Sequence, residues 1–242
     1  KNINNYRESE KAFIAEILKI PLVSELEIYQ YPIDPINLNK SYESFNSFLG
    51  KSLENLLKDL LAQSYEYSSQ KWPKGKEERK LIEATWSLLI INGNEGIKND
   101  ALNAIKGSSM TLSRAALNAL IKVDCPEREK AMKDFYEKWE NNPVVLDTWF
   151  NLESSIPRKD PIQRIKQLLI HPRFDPIAPN SIRAVLGGLT RNINCFHSYD
   201  GTGYLFMAEQ IANVDKNNPI IASRLLKVFS NWNKYIEPNK EK

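Results

Sequence analysis

Apolar side chains recur along this sequence at the spacing of an amphipathic helix. The stripe that follows Tyr42 advances in steps of three or four positions, through Phe45, Leu49, Leu53, Leu56 and Leu60. Such a period places the apolar side chains on one face of a helix. Gly50 interrupts the stripe at a cost of about 1 kcal/mol relative to alanine, so we expect a kink or a break there. No segment has the sustained alternation that predicts a strand.

Further helices are predicted by the same spacing together with helix-start signals. An Asp or Asn followed by Pro supplies a capping side chain and a residue whose fixed φ suits the first helical turn. The predicted helices cover residues 76–91, 94–105 and 109–121, and others begin at Pro35, Pro126, Pro143, Pro161, Asn180 and Pro219. About eleven helices joined by short loops predict antiparallel neighbours stacked in pairs. The expected fold is all-α, a solenoid-like superhelix whose degenerate repeat carries no tetratricopeptide or ankyrin consensus.

Composition limits the class of protein. The chain has 242 residues and 42% of them are hydrophobic, which is enough to bury a core. No apolar run approaches the roughly 20 residues that cross a bilayer, so no membrane partner is expected. Cys125 and Cys195 do not form a disulfide framework, which favours a reducing, cytoplasmic location. The chain begins with Lys1 and shows no signal peptide, so we expect a piece of a longer protein.

Charge is unevenly distributed along the chain. Residues 158–242 hold 13 Lys and Arg against 7 Asp and Glu, a net charge of +6, whereas residues 1–157 carry 20 against 23, or −3. There is no run of five basic residues and no RNA-binding aromatic pattern, so nucleic acid is not an expected partner. A small anionic partner, such as a peptide carboxylate, fits the modest surplus better.

The usual metal and catalytic patterns are missing from the sequence. The two histidines, His171 and His197, lie far apart, and neither belongs to an H-E-x-x-H zinc helix. Cys195 and His197 are the closest pair of soft ligands, and a packed cysteine beside a hydrogen-bonded histidine explains them better than a metal does. We therefore expect no metal, no cofactor and no catalytic residue on this chain.

The stretch FHSYDGTGYLF, residues 196–206, contains the residue types of a catalytic loop. Its glycines lack the lysine of a phosphate-binding loop, and Ser198, His197 and Asp200 are neighbours in sequence rather than a triad in space. The glycines permit positive φ, and Asp200 is suited to cap a helix that begins near Gly203. The prediction is a turn between two helices.

Two arginines occupy unusual positions. Arg183 lies in the first turn of a predicted helix, and Arg224 lies in the apolar run IIASRLL. An arginine in such a run has to reach solvent, pair with a carboxylate or face a wet cavity. One interpretation is a structural ion pair with Asp200 or Glu209. The other is a fork that binds a carboxylate group.

Several segments together resemble the C-terminal part of bacterial aminopeptidase N, the zinc-dependent alanyl aminopeptidases of the gluzincin clan. The most specific are the strings FH-x-x-DG-x-GY-x-F in FHSYDGTGYLFMAEQI and N-P-x-x-AS-R in NPIIASRLLKVF. HPRFDPIAPNSIRAVLGGL, MTLSRAALNAL and FYEKWENNPVVLDTWFNLESS also match, and KAFIAEILKIPLVSELE matches more weakly. The resemblance covers most of the chain.

The resemblance implies that residues 1–242 are the C-terminal helical domain of a larger aminopeptidase. The family has an N-terminal β domain, a thermolysin-like domain with the zinc helix and a G-A-M-E-N motif, a β-sandwich and an all-α superhelix. Only the superhelix matches this sequence, so zinc is expected in the catalytic domain, which is absent from this chain. The partners implied are peptide substrates and the catalytic domain of the same polypeptide.

The resemblance also implies four candidate substrate-binding residues. Asn180, Arg183 and Arg224 match family positions where the arginines meet substrate backbone or carboxylate, and Ile220 matches a position near the pocket for the N-terminal side chain. Two departures affect these expectations. Ser181 replaces the first arginine of an N-R-x-R pattern, and Ile220 replaces a polar residue. The number of basic side chains near the substrate and the preference for the substrate's N-terminal side chain are therefore expected to differ from those of the family.

The hypothesis from the sequence is a domain that covers the zinc site of an aminopeptidase, gates peptide entry and positions substrate, without activity of its own. The alternative is a free-standing α-solenoid scaffold that binds a protein or an extended peptide. Composition and helix order do not separate these two hypotheses.

Overall fold

A computed structural model describes residues 8–70 and 73–242. The prediction of an all-α fold is confirmed, because no strand occurs within these ranges and a single isolated β-bridge links Ile33 with Tyr235. None of the described helices combines the length and apolar composition that a bilayer crossing requires. The α-helices of the described residues are α1 (Glu8–Leu18), α2 (Val23–Leu26), α3 (Pro35–Ser52), α4 (Glu54–Ser68), α5 (Lys76–Leu89), α6 (Glu95–Lys106), α7 (Met110–Leu120), α8 (Pro126–Trp139), α9 (Pro143–Ser155), α10 (Pro161–Leu169), α11 (Pro179–Arg191), α12 (Ile193–Phe196), α13 (Thr202–Asp215), α14 (Pro219–Leu225) and α15 (Glu237–Lys240).

Four of the predicted helix starts are confirmed by their caps, whereas the helix expected from Asn180 begins at Pro179 and has no capping side chain. Side-chain oxygens of Asn142, Asp160 and Asn218 accept hydrogen bonds from backbone N–H groups three residues on, just before the prolines that open α9, α10 and α14. Asp34 does the same for α3, accepting from the N–H of Asn37 at 3.0 Å. Each cap satisfies a donor that the first helical turn leaves without a partner.

The break expected at Gly50 lies three residues later, at Leu53. Helix α3 continues through Gly50 to Ser52, and α4 begins at Glu54. A Cβ atom at position 50 would collide with the carbonyl oxygen of Leu88, so this glycine allows a close approach of backbone to backbone. The described residues contain fifteen α-helices rather than about eleven, and the additional ones include the four-residue helices α2, α12 and α15.

Two compact units divide the chain. The first comprises the described residues up to position 21 together with Glu43–Phe135. In it α5 packs against α1, α4 and α7, and α6 packs against α7. The fully buried side chains there include Leu57, Leu61, Leu81, Ile82, Trp86, Ile105 and Leu117. This unit buries α5 on most sides.

The second unit comprises Leu22–Tyr42 and Tyr136–Lys242. Helix α9 packs along α11, α13 packs on α14, and α10 contacts both α9 and α11. The backbone of Ile33 donates to the carbonyl of Lys234 at 2.8 Å and accepts from the N–H of Ile236 at 2.9 Å. These bonds fix the segment before α3 to the segment before α15. The second unit also carries all four candidate substrate-binding residues.

The two adjacent glycines of α11 provide a test of how closely α9 and α11 pack. A Cβ atom at Gly188 would collide with the carbonyl oxygen of Asn151 and lie 2.5 Å from the Cβ of Ser154. A Cβ atom at Gly187 would have its nearest neighbour 3.9 Å away, at the Asn151 side-chain nitrogen. We expect Gly188→Ala to lower the free energy of unfolding by about 1–3 kcal/mol, because overpacking forces the helices apart.

Gly187→Ala is the matched control. It should leave stability unchanged or raise it by up to about 1 kcal/mol, because alanine favours the helix. Urea unfolding followed by circular dichroism measures both variants. Equal stabilities for the two would contradict the close packing of α9 on α11.

Candidate functional site

Asn180 and Arg183 lie in the first turn of α11, and both side chains are exposed. The guanidinium of Arg183 donates to Asn180 Oδ1 at 2.5 Å and to the Pro179 carbonyl at 3.2 Å. These bonds use part of its five N–H donors and leave the others for a ligand. Arg183 is therefore held along its own helix rather than by another element.

Ile220 and Arg224 lie one turn apart on α14. The buried residues of this helix are Ile221, Ala222 and Leu225, so the run IIASRLL has an inward face and an outward face. Ile220 is 67% exposed, and Arg224 is exposed too. Within the described ranges Arg224 has no hydrogen-bond or ion-pair partner. Its guanidinium is available to an anion from solution.

The alternative of a structural ion pair does not apply to these arginines. Neither Arg183 nor Arg224 pairs with Asp200 or Glu209, and all four residues are among those described. No described hydrogen bond or ion pair joins the α11 residues to the α14 residues. Their assignment to one substrate site therefore stays a prediction.

Residues 196–206 form the predicted turn between two helices. Helix α12 ends at Phe196 and α13 begins at Thr202, with Gly201 at the N-cap position and a φ of 77°. Asp200 Oδ1 accepts a hydrogen bond from the Thr202 N–H at 2.9 Å, so this carboxylate binds the start of the helix as expected. The helix itself begins at Thr202, one residue before the predicted Gly203. A Cβ atom at Gly203 would collide with the Cys195 carbonyl, which explains the second glycine by close packing.

His197 is buried in the second unit and makes polar contacts through its ring and its backbone. Its Nδ1 lies 2.7 Å from the hydroxyl of Tyr204, and its carbonyl accepts from the Asn239 side-chain N–H at 2.8 Å. Its ring packs edge-on against those of Phe196 and Tyr235, with centroids 4.8 and 5.2 Å apart. Burial lowers the pKa of His197 to about 4, so the imidazole is neutral at physiological pH.

The thiol of Cys195 is partly buried and lies near two carboxylates. Burial, with the nearby Asp160 and Asp200 carboxylates, raises the pKa of Cys195 to about 11, so the sulfur keeps its proton. Among the described residues no group of three or more His, Cys, Asp and Glu side chains could hold a metal ion. The Cys195 and His197 pair thus matches a packed cysteine beside a hydrogen-bonded histidine.

Ser198, His197 and Asp200 do not form a catalytic triad. The Nδ1 of His197 faces Tyr204, and Asp200 bonds the backbone of Thr202. A cavity of about 480 Å³ lies beside this turn, lined by α10, α12 and residues 198–203. The carboxylate of Asp160 in its wall accepts from the Gln163 N–H at 3.0 Å. Both aspartates of the cavity thus accept hydrogen bonds from the backbone at a helix start.

Comparison with known proteins gives one family and several longer relatives. A family model described as a domain of unknown function, DUF3458_C, with ARM repeats matches residues 1–242. Aminopeptidase N of Escherichia coli is 30% identical over 237 residues, which are 96% of this chain and 27% of the relative. Aminopeptidase N of Caulobacter vibrioides is 29% identical over 232 residues, which are 94% of this chain and 27% of the relative.

A solved structure shares the fold. The crystal structure of Legionella pneumophila aminopeptidase A in complex with aspartic acid superimposes with a TM-score of 0.84 and 28% sequence identity. The match covers 96% of this chain and 28% of the Legionella chain. This chain therefore spans about a quarter of the length of the relatives it matches.

Buried His197 predicts a specific dependence of stability on pH. Its pKa in the folded chain is about 4, against an ordinary value of 6.5. Between these values the unfolded chain binds a proton that the folded chain does not, so stability falls as the pH is lowered from about 6.5 to about 4. The full loss corresponds to about 3 kcal/mol. We expect His197→Gln to remove most of this loss.

Urea unfolding at several pH values between about 4 and 7 measures this effect for the wild type and the variant. His171→Gln is the control, because His171 is only partly buried and its pKa is lowered less strongly, by burial and by Arg164 and Arg173. A pH dependence that is identical in wild type and His197→Gln would contradict the buried neutral imidazole.

Proposed function

Because the chain belongs to the DUF3458_C family of ARM-repeat domains, we propose that it is the C-terminal helical domain of a zinc metallo-aminopeptidase of the alanyl type. Such an enzyme removes N-terminal amino acids from peptides. The observation that carries the proposal is the near-complete match of this chain to one quarter of proteins named aminopeptidase N. The Legionella aminopeptidase A structure supports it with the same fold.

The described side chains of this chain do not fit a zinc ion. The Nδ1 of His197 faces Tyr204, and no group of three or more His, Cys, Asp and Glu side chains that could hold a metal ion exists among the described residues. We therefore derive no bond-breaking step from this chain. Its proposed role is to cover the active site, to gate the entry of peptides and to position them. Covering and positioning fix the geometry of bound substrate and exclude water and bulky competitors, without breaking bonds.

Arg224 is the chain's best candidate for a direct contact with substrate. Its exposed guanidinium has no partner in the described part of the chain, and an arginine binds a carboxylate through two parallel hydrogen bonds. Ile220, one turn earlier on α14, offers an exposed apolar side chain beside it. Arg183 and Asn180 form a second polar pair on α11. The proposed ligands are peptides and the proposed location is the cytoplasm.

A scaffold that binds an extended peptide is the second candidate. The family's description as ARM repeats favours it, since stacked helical repeats commonly bind peptides along a concave surface. The two candidate functions make different predictions for the sequence upstream of this chain. The first requires an H-E-x-x-H helix upstream in the same reading frame, and the second requires none.

The first test separates the activity of the longer polypeptide from that of this chain. We expect the longer polypeptide to hydrolyse alanine p-nitroanilide, to lose that activity with a chelator and to regain it with zinc. Residues 1–242 alone should be helical by circular dichroism, bind no stoichiometric zinc and leave the substrate intact. Zinc-dependent turnover by residues 1–242 would contradict the proposal, as would a longer polypeptide without peptidase activity.

The second test concerns Arg224. In the longer polypeptide, Arg224→Ala should lower kcat/KM for tripeptides with a free carboxylate about 10- to 100-fold, because a charge-assisted hydrogen-bonded pair contributes about 1.5–3 kcal/mol. The same tripeptides with an amidated C-terminus should be affected much less. Arg224→Lys should restore part of the activity, since lysine retains the charge without the planar fork.

Lys227→Ala is the control for net charge, since Lys227 is also exposed and lies three residues further along. Melting temperatures of all variants should agree with the wild type within about 2 °C, because surface substitutions change stability little. A large loss of stability with unchanged kinetics would show that Arg224 has a structural role.

A further inference from the structure

The dipeptide Asn92–Gly93 lies at the end of a short 3₁₀ helix, Ile90–Asn92, that follows α5. It is the only Asn–Gly pair in the sequence. Asparagine is thermolabile, because the backbone nitrogen of the next residue can attack its side-chain amide. A glycine in that next position has no Cβ to hinder the attack and adopts the required backbone angles readily. By sequence alone, Asn92 is therefore the asparagine of this chain that is most prone to deamidation.

The deamidation reaction needs water as its only co-reactant. The Gly93 nitrogen gives its proton to solvent, forms a bond to the Cγ of Asn92 and closes a succinimide ring. The bond between Cγ and Nδ2 breaks, and ammonia leaves with a proton taken from solvent. Water then opens the ring at one of its carbonyls and leaves aspartate or isoaspartate. Ring closure requires Cγ and the nitrogen to meet in a defined geometry, so a structure that holds either group slows the reaction.

Both reacting groups are held in the native structure. Asn92 Oδ1 accepts a hydrogen bond from the Ser47 hydroxyl at 2.8 Å, and Nδ2 donates to the carbonyls of Ser47 and Leu88 at 3.2 and 3.3 Å. The Gly93 N–H, whose proton has to be lost before the attack, donates to the Ile90 carbonyl at 3.1 Å. These hydrogen bonds use both N–H donors of the amide as well as its oxygen. They therefore oppose ring closure in the folded chain.

The amide of Asn92 also packs directly on the backbone of α3. A Cβ atom at Gly50 would collide with Asn92 Nδ2 as well as with the Leu88 carbonyl. Deamidation to aspartate places a carboxylate oxygen where Nδ2 lies, facing the carbonyl oxygens of Ser47 and Leu88 without a proton to share. A charged acceptor that faces other acceptors is costly to keep in place. The modified chain thus loses the contact that joins α3 to the end of α5.

We propose that Asn92–Gly93 is a modification site, a deamidation site that the native fold restrains and that opening of the first unit releases. A chain that stays folded keeps its asparagine. A chain that spends time unfolded acquires aspartate or isoaspartate and cannot remake the hydrogen bonds to Ser47 and Leu88. The dipeptide then carries an irreversible record of unfolding. The proposal uses contacts of the first unit alone and is independent of the peptidase assignment.

Peptide mapping by mass spectrometry tests the proposal in the longer polypeptide, incubated at neutral pH with and without urea. Replacement of the amide nitrogen by oxygen gives a mass increase, and isoaspartate gives a separate chromatographic peak. In urea Asn92 should deamidate faster than any other asparagine. Under native conditions its rate should be at least about tenfold lower, because the reaction has to wait for local opening. Equal rates in the two conditions would overturn the proposal, as would an Asn92 that stays intact in urea.

Ser47→Ala tests whether the hydrogen bonds are responsible for the restraint. It removes the hydroxyl that holds Oδ1 and should raise the native rate of deamidation at Asn92 about two- to tenfold, the range that corresponds to the net contribution of one hydrogen bond. The rate in urea should not change. Ser44→Ala, at an exposed serine about one turn earlier in α3, is the control and should leave both rates unchanged. A native rate that Ser47→Ala does not alter would refute the assigned restraint.

Asn92→Asp reproduces one product of the reaction in every chain. It should lower the melting temperature of the longer polypeptide by at least about 3 °C. Asn94→Asp is the matched control and should leave the melting temperature unchanged, because the Asn94 side chain caps α6 through its oxygen and aspartate caps equally well. A melting temperature equal to that of the wild type for Asn92→Asp would contradict the loss of the α3 contact. A variant that fails to fold would support it, and the rate comparison tests the site without any variant.

Discussion

The close approach of helix backbones is the constraint on which the rest of the second unit depends. At Gly188 the backbone of α11 comes so near to α9 that a single methyl group would collide with the Asn151 carbonyl. At Gly203 the start of α13 is equally close to the carbonyl of Cys195. At these points no side chain separates the backbones, so α11 packs directly on α9 and the start of α13 packs directly on α12. Buried apolar residues such as Val185 and Met207 then fill the remaining space.

The buried charges Arg79 and Glu153 serve structural roles, in contrast to the exposed Arg224. In the first unit Arg79 donates to the carbonyls of Ser68, Gln70 and Lys74, at distances of 3.0, 3.0 and 3.1 Å. In the second unit Glu153 is buried and accepts from Arg164 at 2.9 Å. Such groups have hydrogen-bond partners, because burying a charge without a partner costs free energy of folding. Arg224 has no described partner and is kept in water instead, an arrangement that leaves its charge available to a ligand.

The sequence predicted what depends on local chemistry. Helix starts after Asp34, Asn142, Asp160 and Asn218 were predictable because a capping side chain followed by proline acts within one helical turn. The turn at 196–206 was predictable for the same reason, although Gly201 rather than Asp200 takes the N-cap position. The family resemblance was equally accessible, since it rests on the residues themselves.

What the sequence could not predict depends on distant contacts. Gly50 appeared to interrupt a helix, but the contact that explains it comes from Leu88, which lies 38 positions later in the chain (88 − 50). The hydrogen bonds of the Asn92 amide were also hidden, because Ser47, which holds it, lies 45 positions earlier in the chain. The lack of an ion pair at Arg224 likewise follows from where α13 and α14 place their outward faces. Proximity in space is not encoded by spacing along one helix.

The buried polar contacts of His197 join residues that are close in sequence to residues that are far from it in sequence. Through Tyr204, His197 is tied to the first turn of α13, and through Asn239 it is tied to the C-terminal segment. Helix α14 packs on α13, so the helix that carries Ile220 and Arg224 rests on the helix that this buried, neutral histidine contacts. Since the imidazole is uncharged above a pH of about 4, its contacts do not change over the physiological range. A residue type associated with catalysis and pH sensing therefore has a structural role here, joining α13 to the C-terminal segment.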